Sequence, residues 1–224
     1  MYYLSRVEVD VQNRAKIKDL THLGAYHNWV EQSFPKEIAT GERHRHLWRL
    51  DTLAGKKYLL IMSESIPDSE FLLKYGVTGT IVTKSYDGFL DKIHDGQIMR
   101  FRLTANPTHT ITRPGKKRGK VFPHVTVTQQ EKWLVDRSEK SGFELVKQVG
   151  VNDLNETQTL AFKIVERDWP MLHRNPGRAV RLSRVTFEGL LRVENAETFK
   201  QTLVKGIGRE KAFGMGMMTV IPEA

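Results

Sequence analysis

Six periodic segments follow one another between residues 2 and 105, and their order admits few folds. Residues 2–9 (YYLSRVEV) alternate apolar and polar side chains, which predicts a strand. Leu20, Leu23, His27, Val30 and Phe34 then recur at spacings of three and four, the stripe of a helix that must stop before Pro35. Residues 46–51 (HLWRLD) and 57–63 (KYLLIMS) predict two strands joined by an Ala-Gly-Lys turn. A short helix over 67–75 is closed by Gly76, and residues 97–105 (QIMRFRLTA) alternate again. The sequence of elements is β-α-β-β-α-β, the ferredoxin-like arrangement.

The second half mixes the same ingredients. A helix over 128–141 carries Trp133 and Leu134 and ends at Gly142; strands follow over 143–149, 160–167 and 179–193, then a helix over 196–205 and a strand over 217–221. No residue-by-residue repeat links the halves, but two similar modules side by side fit the pattern. The expected division is a first module over 1–107 and a second over 108–224. Residues 108–120 (THTITRPGKKRGK) are expected to be the boundary or a functional insertion, because the run RPGKKRGK has no apolar side chain to bury.

Charge separates the halves more sharply than periodicity does. Of a net +9, residues 1–104 contribute 15 basic minus 13 acidic side chains, or +2, and residues 105–224 contribute 20 minus 13, or +7. The excess is clumped: 105–120 holds five basic residues and no acid, 163–184 six against two, and 199–216 four against one. Clumps of this kind focus positive potential on a polyanion, of which nucleic acid is the commonest; the other reading is a set of solvated basic loops, or a scaffold whose loops face acidic proteins. The chain has no cysteine, which closes thiol chemistry and disulfides. Nothing at residues 1–10 has the layout of a signal peptide and no run is long enough to span a bilayer, so a soluble cytoplasmic protein without membrane partners is expected.

The segment 205–222 (KGIGREKAFGMGMMTVIP) packs four glycines, three methionines and three basic residues into eighteen positions. It is not a dinucleotide fingerprint, since Lys211 stands where the third glycine is needed, nor a phosphate loop of the GxxxxGK type. Two readings stay open for Gly206, Gly208, Gly214 and Gly216. They either end a helix and permit close backbone packing, or bring N–H groups up to a phosphate with Arg209 and Lys211 supplying charge. His27 also has two readings, because it replaces an aliphatic residue on a helix stripe. It is either a hydrogen-bonded core histidine or a general acid or base at the core's edge. His44 and His46 would share a face on a strand, but neither HExxH nor a carboxylate cluster accompanies them, and no metal or other cofactor is expected.

Taken in order, the start MYYLSRVEVD, the helix end HNWVEQSFP, the strand LWRLD, RFRLTANPT running into a basic loop, EKWL, VTFEGLLRVEN and the terminal GIGREKAFGMGMM resemble the CasE family, over nearly the whole chain. These are the CRISPR-associated endoribonucleases of the type I-E Cascade system. The resemblance implies an α+β fold of two tandem ferredoxin-like (RRM-like) domains with antiparallel sheets. It also implies metal-independent cleavage of CRISPR precursor RNA at the base of the repeat stem-loop, with the other Cascade subunits as partners of the protein and its retained product. The attacking group would be the ribose 2′-hydroxyl, leaving a 2′,3′-cyclic phosphate and a 5′-hydroxyl. The family's catalytic histidine falls on His27. Its usual tyrosine, three residues earlier, falls on Gly24. Tyr26 is adjacent and serves only if the helix is irregular; otherwise Arg209 or Lys211 would hold the scissile phosphate. An A-form stem is gripped mainly through phosphates and 2′-hydroxyls, for which Arg113, Lys116, Lys117 and Arg118 form one candidate patch and Arg174, Arg178 and Arg181 another. A non-catalytic RNA-binding subunit with the same fold is the alternative.

Overall fold

The computed structural model describes residues 1–42, 44–112, 115, 119–152, 155–172 and 179–223, with 149–152 and 155–158 as backbone alone. The first part of the chain runs β1 (Tyr3–Glu8), α1 (Arg14–Ile17), α2 (Leu23–Gln32), α3 (Pro35–Thr40), β2 (Leu47–Leu53), β3 (Lys56–Ser63), α4 (Ser69–Leu73), β4 (Val82–Ser85) and α5 (Asp87–Leu90). β5 (Ile98–Ala105), the hairpin β6 (Thr108–Ile111) and β7 (Lys120–Pro123), α6 (Val127–Ser138), β8 (Phe143–Leu145), β9 (Lys147–Asn152) and β10 (Asn155–Leu160) follow. The chain closes with β11 (Phe162–Asp168), β12 (Met171–Leu172), β13 (Val180–Arg181), β14 (Arg184–Val193), α7 (Ala196–Lys205) and β15 (Met218–Pro222).

Two antiparallel sheets carry the fold. The first has strand order β2-β3-β1-β4, and the second β11-β14-β5-β15 with β8 also on β14. Both follow ferredoxin-like topology, in which the first strand lies between the third and the fourth. One expectation needs correction here. Periodicity puts the strand over 97–105 in the first module, but β5 pairs with β14 and β15 in the second sheet, so by sheet membership the division falls before Ile98 and not at Pro107. The fourth strand of the first sheet is β4, aligned on β1 with Tyr3 opposite Ser85. It escapes detection in the sequence because it is a four-residue edge strand with mostly exposed side chains, which leaves no apolar alternation to read. The two ends of the segment expected as a boundary or insertion over 108–120 are strands: residues 108–111 and 120–123 pair as β6 and β7, with Thr108 opposite Pro123.

Local chemistry sets the helices. The His22 imidazole caps α2 by accepting from the Ala25 N–H at 3.2 Å, and Leu23, Tyr26, Trp29 and Val30 turn one stripe inward. Thr126 and Gln129 form a reciprocal capping box at the start of α6. Asn195 caps α7, which stops at Gly206, where φ is +72°. One core gathers Val7, Leu59, Ile61 and Trp48 beneath α2 and α4; the other gathers Phe101, Leu103, Phe187 and Leu191 beneath α6 and α7. Among the described residues no helix is long and apolar enough to cross a membrane.

The sheets meet at a shared seam. Alternation along β2 sends Trp48 into its own core while Leu47 enters the second one, together with Met62 of β3. Arg49, on the same face as Leu47, is 2% exposed and donates five hydrogen bonds. Its Nη1 reaches the carbonyls of Arg102 (2.8 Å) and Met217 (3.1 Å), Nη2 reaches Thr219 Oγ1 (2.7 Å), and Nε and Nη2 grip Asp51 at 2.7 Å each. All five guanidinium N–H groups are used, and three of the bonds cross from one sheet to the other.

Candidate active site at the seam

The expected catalytic histidine lies where α2 faces the glycine segment. His27 has its side chain one-third exposed, and its ring stands edge-on to Phe213 at 5.6 Å. The helix is regular, so Glu31, four residues on, shares its face, with Oε1 3.9 Å from His27 Nδ1. The two line a cleft of about 540 Å³ whose other walls are residues 44–46 ahead of β2 and residues 208–212. Arg45, Arg209 and Lys211 make that space cationic, against Glu31 and Glu210.

The glycine segment is folded on itself. Gly206, Gly208, Gly214 and Gly216 all have φ between +72° and +87°, the left-handed region that disfavours any Cβ. The Gly206 N–H donates to Thr202 O (2.8 Å), that of Gly216 to Thr104 O (2.6 Å), and that of Ile207 back to Gly216 O (2.8 Å). A Cβ on Gly214 would stand 2.6 Å from the Trp48 ring, whose Nε1 donates to Ala212 O at 3.0 Å. The expectation of a loop of four phosphate-facing glycines is therefore corrected. The N–H groups of Gly206 and Gly216 are committed to protein carbonyls, Gly214 packs under Trp48, and Gly208 alone of the four lines the cleft. What these glycines build is the turn that presents residues 208–212. Glu210 itself adopts φ +58°, uncommon for a residue with a Cβ, as the chain enters the single turn Lys211–Phe213.

Lys211 helps hold that turn. Its Nζ donates to the carbonyls of Lys205 (2.7 Å) and Gly206 (2.6 Å), closing the C-terminal end of α7. Burial, and then the nearby charge of Arg45, pull its pKa below the ordinary lysine value. Arg209 is exposed. Its charge is felt at Arg137, whose guanidinium lies 4.3 Å over the Trp133 ring and whose pKa is lowered by burial first and by Arg209 as well. A cationic surface thus continues from the cleft onto α6.

Tyr26 does not join His27. Its ring is 9% exposed, packs in the first core at 6.1 Å from Trp48, and burial raises its pKa above the usual phenol value. On a regular helix adjacent residues point about 100° apart, so a cleft-facing His27 turns Tyr26 inward. Gly24 is one turn before His27, and a Cβ there would meet His22 Nδ1 at 3.0 Å. His44 and His46 are not on a strand. His44 is exposed, whereas His46, just ahead of β2, is buried against Phe34, ring to ring at 3.7 Å and 7°. Arg181 is exposed on β13 with its guanidinium 5.2 Å from the Trp169 ring, and is not part of the cleft wall. Arg113, Lys116, Lys117, Arg118, Arg174 and Arg178 lie outside the described residues.

Sequence reasoning missed Arg45 and Glu31, and weighed His46 only as a metal ligand. Glu31 had a readable signal in its i,i+4 spacing from His27. Arg45 had none, and nothing pointed His46 toward Glu31, because only the tertiary fold carries the approach to β2 past α2.

The family described as CRISPR associated protein matches residues 2–222. The CRISPR-associated endoribonuclease Cse3 of Thermus thermophilus is 28% identical over 224 residues, covering 98% of this chain and all of that one. The Cascade subunit CasE of Escherichia coli is 26% identical over 228 residues, covering 98% and 99%. Among solved structures, CRISPR endoribonuclease Cse3 bound to a 19-nucleotide RNA superposes with TM-score 0.77 at 25% identity, over 99% of both chains. Thermus thermophilus Cse3 bound to an RNA representing a pre-cleavage complex gives the same TM-score, identity and coverage. A match running from Tyr2 to Pro222, on the same two-sheet fold, places the chain in the Cse3/CasE family of CRISPR-associated endoribonucleases.

Proposed function

We propose that this chain is a metal-independent endoribonuclease that cuts CRISPR precursor RNA at the base of the repeat stem-loop and stays on its product beside other Cascade subunits. In that reaction the ribose 2′-oxygen bonds to phosphorus as the P–O5′ bond breaks, giving a 2′,3′-cyclic phosphate. One proton must leave the 2′-oxygen and one must arrive on the departing 5′-oxygen. His27 carries one of these transfers, and Arg45 and Arg209 steady the charge on the phosphorane. Lys211 supports the turn that presents Arg209, since its ammonium already donates to two helix carbonyls.

The observation that carries this reading is the placing of the His27 imidazole, part-exposed, across a cationic cleft from residues 208–212. RNA-bound relatives of the same fold support it. The test is single-turnover cleavage of the cognate repeat RNA in excess chelator, with His27→Ala beside the unaltered protein. The expected result is cleavage lost about 10²- to 10⁴-fold with RNA binding retained, and a cyclic-phosphate end on the product. Equal cleavage by both proteins would remove His27 from the chemistry. Binding without cleavage by either would leave an RNA-binding subunit.

A further inference from the structure

A row of side chains runs from His27 into the interior. Glu31 Oε1 is 3.9 Å from His27 Nδ1 and accepts a hydrogen bond from His46 Nδ1 at 3.0 Å. On its other side His46 Nε2 is 3.1 Å from Glu37 Oε2. Glu37 is anchored in turn, since its Oε2 accepts from the His44 backbone N–H at 3.3 Å and its Oε1 accepts from the Ser65 hydroxyl. The His46 side chain is 2% exposed and its ring is clamped flat on Phe34. Four elements or their flanks converge on this polar cluster.

We infer that Glu31 is a positioning residue for His27, and that Glu37 and His46 hold its carboxylate in place. The inference rests on the reading of His27 as the group that moves protons. Glu31 faces Nδ1, so it favours the ring form with a proton there and leaves Nε2 to meet the RNA, as a carboxylate behind a catalytic imidazole does in other enzymes. At 3.9 Å the contact is longer than a hydrogen bond, and such contacts commonly tighten when substrate closes a site. The edge-on Phe213 ring limits the other rotations open to the imidazole. Position 24, one turn before His27, is a glycine with no side chain to orient the ring, and the carboxylate row approaches from the turn after it.

The variant Glu31→Gln tests this against His27→Ala in the same single-turnover assay. Glu31→Gln keeps the side chain's shape, and it removes a negative charge from a cleft that binds a polyanion. The expected signature is opposite in sign for the two readouts: cleavage slower by about 10- to 100-fold, with RNA affinity equal or tighter. A merely structural role would weaken binding and cleavage together. Unaltered cleavage by Glu31→Gln beside an inactive His27→Ala overturns the positioning role and leaves the proposed function standing; unaltered cleavage by His27→Ala removes the proposed function itself. Nitrogen-15 spectra of the imidazoles in the unaltered protein need no variant to fold. They should show neutral His27 protonated at Nδ1, and an Nε2-protonated ring would overturn the inference.

Discussion

Replacing Arg49 by methionine keeps most of the stem's volume and removes every donor. Two of the five bonds lost go to Asp51, whose carboxylate is part-exposed and retains Arg102 Nε at 3.3 Å, so no charge is stranded there. The three that matter join the Arg102 and Met217 carbonyls and the Thr219 hydroxyl to β2. At about 1 kcal/mol net for each, the loss is about 3 kcal/mol, the lower end of what breaking a buried ionic network costs. For a chain of this size that lowers the melting temperature by roughly 6–12 °C, read by circular dichroism on heating. Arg49→Lys should lose nearly as much, because one ammonium cannot span a carboxylate and two carbonyls on separate segments. A loss under about 1 kcal/mol by Arg49→Met would refute the reasoning, since it would mean that desolvating the guanidinium cancels its bonds.

Gly214→Ala forces a Cβ into the left-handed region and against Trp48, and should destabilise by about 2–4 kcal/mol in denaturant titrations. Gly41→Ala, at φ +73° with nothing within 4 Å, should cost only the backbone part; equal losses would show that the Trp48 contact is unimportant. Arg209→Ala should weaken RNA binding and flatten its dependence on log salt by about one ion, and an unchanged slope would place Arg209 away from the phosphates. His124 has its pKa lowered from 6.5 by burial first, then by His109 and Arg137, with Asp136 opposing. The unfolded chain therefore takes up this proton first. Its contribution to stability is full above pH 6.5 and falls as the pH drops from 6.5 to the folded-state value. A proton NMR titration of His124 with a midpoint above 6.5 would contradict this.

The elements with clear local signals were legible in the sequence: β1, α2, β2, β3, α4, β5, α6, α7 and β15 all lie where alternation, a helical stripe or a start or stop residue predicts them. Membership of a sheet was not. β5 reads the same whichever sheet it joins, and only the unnoticed β4 could have displaced it from the first. The run expected as one strand over 179–193 is broken after Arg181, and the one over 143–149 after Leu145, because β-pairing partners change there without a change of period. His27 showed itself as a polar residue on an apolar stripe. His46 could not, since its burial comes from Phe34 and its partners from α2 and α3, all distant from β2 until the chain folds. The glycine segment announced its backbone freedom, while the side on which that freedom is spent depended on Trp48 and Leu47 pressing against it.

Leu47 and Met62 of the first sheet sit inside the second core, and Leu172, Leu182 and Met215 from the later half sit inside the first. Each half thus borrows part of its interior from the other. Expressed alone, either fragment would leave an oily socket open to water, so a split version of the protein should assemble only when both pieces are made together.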